Sequence, residues 1–106
     1  MLLTTTSSLQ DKKILEYKGI VNGNAIVGVN ALKDMFASFR DIFGGRSGAY
    51  EEELNRAKQL AMDEMIEQAT AMGANAIIGV DIDFESIQVS GSMLMVNASG
   101  TAVIIE

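Results

Sequence analysis

A long helix with a wide apolar surface is the feature that most constrains this fold. Hydrophobic residues recur at helical spacing from Tyr50 to Met72, before a terminating Gly73. Three glutamates at positions 51–53 occupy the first turn, where acidic side chains offset the helix dipole. A helix that lies on one sheet needs a single apolar stripe. The second stripe here indicates either deep burial in one domain or a further burial surface against another subunit. The two stripes are Tyr50, Leu54, Ala57, Ala61, Met65, Met72 and Met62, Ile66, Ala69.

Alternating residues after this helix predict two strands for it to cover. In Ala76–Glu85, apolar side chains at 78, 80, 82 and 84 face one way and acidic side chains face the other. Met93–Ile105 forms a long final strand after a turn at Ser90–Ser92, and the short loop predicts an antiparallel pair. Its central small residues would let a helix approach closely.

The first part of the chain leaves two interpretations open. Leu2–Thr5 is typical of a short edge strand, and strand-forming runs at Lys13–Val21 and Ala25–Val29 flank Asn22 and Gly23. An Asn-Gly pair between two such runs favours a hairpin. One long strand with a glycine-marked bulge fits the same residues.

A further helix is predicted between Asn30, a suitable N-cap, and Gly44, which is suited to end it. The complete prediction is an α+β fold, with an antiparallel sheet covered on one face by two helices. Residues 1–106 contain no linker or repeat, so we expect a single domain. The apolar residues of this helix are Leu32, Met35, Phe36, Phe39 and Phe43.

Charge and composition exclude several classes of function. The net charge is −6 with only eight Lys and Arg, which is not the footprint of a nucleic-acid binder or of a protein that binds anionic membranes. No apolar run approaches the ~18 residues that span a bilayer, and no apolar leader follows Met1, so we expect a cytoplasmic protein. Cys and His are both absent, which removes thiolate and imidazole chemistry and argues against an enzyme.

The first candidate site is the glycine–arginine loop, Gly44, Gly45, Arg46 and Ser47. Its backbone N–H groups, the dipole of the following helix and the guanidinium of Arg46 could together hold a phosphate or carboxylate. The loop is not a Walker A motif. An ordinary helix cap at Gly44 and Ser47, with Arg46 paired to a nearby carboxylate, explains the same residues.

The second candidate is the acid row, which we define as Asp81, Asp83 and Glu85. Period two places these carboxylates on one sheet face, where they could hold a hard cation such as Ca²⁺ or Mg²⁺. Side chains on the same face of one strand stand ~6–7 Å apart, so a single strand cannot close a coordination sphere. The alternative is a solvated strand face.

Several motifs resemble the YbjQ-like family, labelled putative heavy-metal-binding proteins of unknown function. They cover nearly the whole chain in order: LTTTSSL, EYKGIVNGNAIVG, FRDIFGGRSGAYEEEL, AMDEMIEQATAMGANAIIGVDID and SGTAV. The resemblance implies a small α+β protomer that assembles with itself into a ring, a homopentamer, without an assigned activity.

The residues present narrow the metals that this family label could refer to. Soft metals prefer thiolate, thioether or imidazole, and only thioethers are available here. Met93 and Met95 share a strand face, but methionine at such spacing usually fills a core. We therefore expect a homo-oligomeric binding protein whose small anion or metal ion lies at the glycine–arginine loop or between subunits. A scaffolding ring that acts through unidentified protein partners is the alternative.

Overall fold

The structure, a computed structural model, describes residues 1–28, 48–88 and 92–106. The predicted helix between Asn30 and Gly44 lies outside these residues. The elements in chain order are β1 (Leu2–Leu3), β2 (Ile14–Val27), α1 (Gly48–Ala71), β3 (Ala76–Gln88) and β4 (Ser92–Ile105). Within the described ranges the fold is therefore a small α+β domain with four strands and one helix.

The sheet is mixed, with the strand order β1-β3-β4-β2. Strand β4 is antiparallel to both β2 and β3, as predicted for β3 and β4, but β1 is parallel to β3. The prediction of a wholly antiparallel sheet is wrong because no hairpin turn fixes the direction of β1. Its position is set instead by backbone hydrogen bonds from Leu2 N to Asn75 O (3.3 Å) and from Thr4 N to Ile77 O (3.0 Å).

Asn22 and Gly23 lie in the middle of one continuous strand, so the hairpin interpretation is wrong. They pair regularly with Ser99 and Ala98 of β4. The bulge of the other interpretation exists, but it lies earlier, where the register shifts between Tyr17 and Gly19. Gly19 has φ +135°, a backbone conformation that residues other than glycine rarely adopt.

At Gly23 the backbone of α1 lies in close contact with the sheet. A Cβ at this position would collide with the carbonyl oxygen of Ala61 and lie 2.8 Å from the backbone nitrogen of Met65. Beside it, the Asn22 N–H donates to Oε1 of Gln68 at 3.0 Å. The close approach predicted for β4 thus occurs on β2, an edge strand of the sheet.

The main core lies between α1 and one sheet face, which we call the helix face. Ala57, Ala61 and Met65 of the predicted first stripe are buried there, together with Ala69 of the second. Met62 and Ile66 are half-buried at its margin. The sheet contributes Val21, Val27, Ile77, Val96, Ala98 and Ala102.

A smaller core lies on the opposite sheet surface, which we call the far face. Ala76, Ile78, Val103 and Ile105 are buried there, with Leu9 and Ile14 packed against them. Ile78 was predicted to face the same way as Val80 and Ile82, which is wrong, because the register shifts between Ile78 and Asp81 at Gly79, φ +61°. The bulge changes the alternation of side chains along β3.

The end of α1 was predicted correctly at Gly73. Gly73 has φ +84°, its N–H donates to the carbonyl of Thr70, and the N–H of Ala74 donates to that of Ala69. These two bonds form a Schellman cap. Asn75 then fixes the end of β4, because its side chain donates to the carbonyl of Ile105 (3.0 Å) and accepts from its N–H (2.8 Å). Among the helices that the structure describes, none is long and apolar enough to cross a membrane.

Gly23→Ala tests the close helix–strand contact. The added methyl group must displace the backbone of α1 at Ala61, so we expect a loss of about 1–3 kcal/mol in the free energy of unfolding, measured by urea denaturation. Gly28→Ala is the control, since its added Cβ meets no atom of the described residues within 4 Å. Equal stability of the two variants would contradict a tight contact at Gly23.

Candidate functional site

The acid row lies on the far face of β3, where α1 does not cover it. Asp81, Asp83 and Glu85 alternate with Ile82, which packs toward the main core, and all three carboxylate side chains are exposed. Their cross-strand partners on β4 are Ser99, Asn97 and Met95, respectively. The bulge at Gly79 precedes the row, so the alternation predicted from sequence holds from Asp81 onward.

Mutual repulsion and hydrogen bonding alter the electrostatics of the acid row. Asp81 raises the pKa of Asp83 above its ordinary value of 3.8 in two ways. The larger effect is a side-chain hydrogen bond between them, and the next is the negative charge of Asp81. The charge of Glu85 acts in the same direction. Since the charges of Asp81 and Glu85 disfavour the ionised form of Asp83, a cation placed beside the row would relieve the same repulsion.

The described residues of one protomer do not fit a heavy-metal site. Within residues 1–28, 48–88 and 92–106, no group of three or more His, Cys, Asp or Glu is arranged to hold a metal ion. The whole chain lacks Cys and His, so thioethers are its only soft ligands. Met65 is fully buried in the main core, while Met93 and Met95 are half-buried on the far face of β4.

A concave feature, which we call the edge groove, runs between the outer edge of β2 and the flank of α1. Its volume is about 300 Å³. Within it, Arg56 donates to Oε2 of Glu53 at 3.2 Å. The carboxylates of Glu53 and Glu64 in the lining would repel an anion. The exposed side chain of Leu60 adds an apolar surface. The groove is lined by Asn24, Ala25, Ile26, Val27, Glu53, Arg56, Ala57, Leu60 and Glu64.

Sequence reasoning missed the edge groove because it joins segments about thirty residues apart. Leu60 carried the available signal, since it is a large apolar residue that belongs to neither predicted stripe of the helix. The other sequence candidate, Gly44 to Ser47, lies outside the described residues. The structure therefore does not relate the glycine–arginine loop to the acid row or to the edge groove.

Comparison with known proteins identifies a family by sequence and a solved structure with a similar fold. Residues 1–106 match the sequence model of the family YbjQ_1, whose description is "Putative heavy-metal-binding". The fold is similar to the crystal structure of a protein of unknown function of the DUF74 family from Pediococcus pentosaceus ATCC 25745. That similarity has a TM-score of 0.63 at 21% identity and covers 100% of this chain and 98% of the other. At this identity the likeness shows the fold alone.

Asp83→Asn tests the electrostatics of the acid row. Because the pKa of Asp83 is raised in the folded protein, protonation favours folding, and the stabilisation present at low pH is lost as the pH rises through the folded pKa. At pH 7 the variant should therefore melt slightly above the unaltered protein, and the difference should shrink toward pH 4. The measurement is the melting temperature across this range.

Glu67→Gln provides the control for this prediction. It removes one negative charge from the exposed surface of α1, away from the acid row. If both variants change the melting temperature equally at pH 7, repulsion within the row is not the cause.

Proposed function

Because the chain belongs to the YbjQ_1 family, described as "Putative heavy-metal-binding", we propose that it acts as a homo-oligomeric binding protein. Five copies form a ring in the cytoplasm, and a small ion binds where subunits meet. The exposed acid row is the observation that carries this proposal, since three exposed carboxylates share one sheet face.

The shape of the protomer supports its assembly with other copies. Its radius of gyration is 16.9 Å, whereas a compact domain of this size has about 13 Å. Two 14-residue strands, each about 46 Å long, account for most of its 52 Å length, and the shortest extent is only 17 Å. So thin a layer leaves large apolar side chains in solvent, including Ile20, which is 81% exposed. Association would bury them.

Ligand chemistry favours a hard divalent cation at the acid row. Carboxylate oxygens suit Ca²⁺ and Mg²⁺, and the spacing along one strand requires further ligands from a neighbouring subunit. A soft metal would need methionine thioethers from several subunits at once. The glycine–arginine loop remains a sequence-based prediction for a small anion, with Arg46 as its charged group.

A scaffolding ring is the second candidate function. The exposed side chains of Tyr17, Ile20 and Ile26 on β2 favour it, because they offer an apolar surface to a protein. Such a ring would assemble without binding a small ion.

Native mass spectrometry and thermal melting test the assembly and its ligand. We expect a pentamer whose melting temperature rises with Ca²⁺ or Mg²⁺, since the cation would relieve repulsion in the acid row. Asp81→Asn with Asp83→Asn should abolish this rise, whereas Glu52→Gln with Glu67→Gln, which removes two charges from α1, should retain it.

The same measurements separate the alternatives. Arg46→Ala should remove stabilisation by phosphate without changing the response to cations. A pentamer that neither cations nor phosphate stabilise would favour the scaffolding ring. A monomer would contradict both functions.

A further inference from the structure

We infer that the edge groove receives the outer edge of β3 from a second copy of this chain, with Phe84 as the anchoring side chain. This inference rests on the proposed homo-oligomer and specifies how its subunits join. It makes the contact heterologous: one edge of the sheet in each copy meets the opposite edge in the next.

The outer edge of β2 offers backbone groups for such a strand. Among the described residues, no further strand pairs with that edge. The backbone N–H of Asn22 points outward there and donates to the side chain of Gln68. The register with β4 is regular from Gly19 to Val27. The backbone N–H and C=O groups of Asn24 and Ile26 therefore point away from β4, as the N–H of Asn22 does. Unpaired groups on a sheet edge are a template for an added strand.

The outer edge of β3 is open over a matching length. Strand β1 and the bonds from Gly79 N to Thr6 O and from Val80 N to Thr4 O cover its beginning. From Asp81 onward, no strand within the described ranges pairs with this edge. Within the described residues, each copy therefore carries two edges without a paired strand on opposite sides of one sheet, and joining unlike edges head to tail can close a ring.

Phe84 supplies an apolar side chain that suits the groove. It is 52% exposed and lies across from Val96, a buried residue of the helix face. A copy of β3 placed beside β2 would direct Phe84 beneath the flank of α1, toward Leu60, which is also 52% exposed. Arg56 lies one helical turn away, where its guanidinium can stack on the aromatic ring.

Charge selects this occupant over the two symmetric pairings. Pairing β3 with β3 would bring two acid rows together, and like charges across adjacent strands are destabilising. Pairing β2 with β2 would bring two grooves, each carrying Glu53 and Glu64, toward each other and leave Phe84 exposed. From Gly19 to Val27, β2 has no charged residue, so the acid row of a neighbour would meet the side-chain amides of Asn22 and Asn24 instead.

Engineered disulfides test the pairing directly, because the chain contains no cysteine. In the full chain carrying Leu60→Cys and Phe84→Cys, oxidation should give a ladder of covalent oligomers on a non-reducing gel. Arg56→Cys with Phe84→Cys probes the adjacent helical turn. Each single variant should remain monomeric on the gel, and mixing the Leu60→Cys and Phe84→Cys proteins should give a covalent dimer.

Three results would overturn the inference. If Leu60→Cys alone forms a covalent dimer, two β2 edges face each other. If neither double variant forms a ladder while native mass spectrometry still shows an oligomer, this pairing fails and the proposed homo-oligomer stands. If the unaltered protein is a monomer, the proposed function fails together with the inference.

Phe84→Ala gives a second, quantitative readout. Loss of an aromatic anchor should raise the dissociation constant between subunits at least tenfold, measured by analytical ultracentrifugation. Ser86→Ala, on the same face of β3, should leave it nearly unchanged. Equal dissociation constants for the two variants would contradict the role of Phe84.

Discussion

The contact of α1 with Gly23 determines how the rest of the sheet is covered. Without a side chain at this position, the helix backbone at Ala61 rests directly on β2, and Gln68 caps the adjacent Asn22 N–H. The small residues Ala57, Ala61 and Ala69 maintain this close distance along the helix. The helix therefore lies mainly over the edge strand β2 and also contacts its neighbour β4.

This placement accounts for the features that we connect with function. With α1 over β2 and β4, the described residues leave Phe84 half exposed on the helix face of β3. The same placement forms the edge groove, because the flank of α1 that carries Arg56 and Leu60 overhangs the outer edge of β2. On the far face, the small core at Ile78 and Val103 ends before the acid row begins. The groove and the exposed aromatic side chain are thus consequences of one helix position, whereas the acid row follows from the alternation of side chains along β3.

Local patterns predicted the elements well and their arrangement less well. Period-two alternation identified β3 and β4, and the spacing of alanine and methionine identified the buried face of α1. The sequence left open whether β2 is continuous, because Asn-Gly favours a turn locally, whereas the close approach of Ala61 to Gly23 depends on tertiary packing. The reversal at Gly79 was missed for a related reason: its positive φ goes with a register shift against β4, and the local sequence does not show that pairing.

The candidate sites show the same difference between features set by local sequence and features set by tertiary packing. Spacing along one strand was sufficient to place Asp81, Asp83 and Glu85 on one face, while the edge groove depends on two distant segments. The family description concerns heavy metals, yet a chain without Cys or His offers them only thioethers, and Met65 is fully buried in the main core. Carboxylates on an open face are suited to hard cations, and one strand supplies too few of them. Any metal site that uses this row must therefore be completed by residues beyond it, and in the homo-oligomer that we propose a neighbouring subunit would supply them.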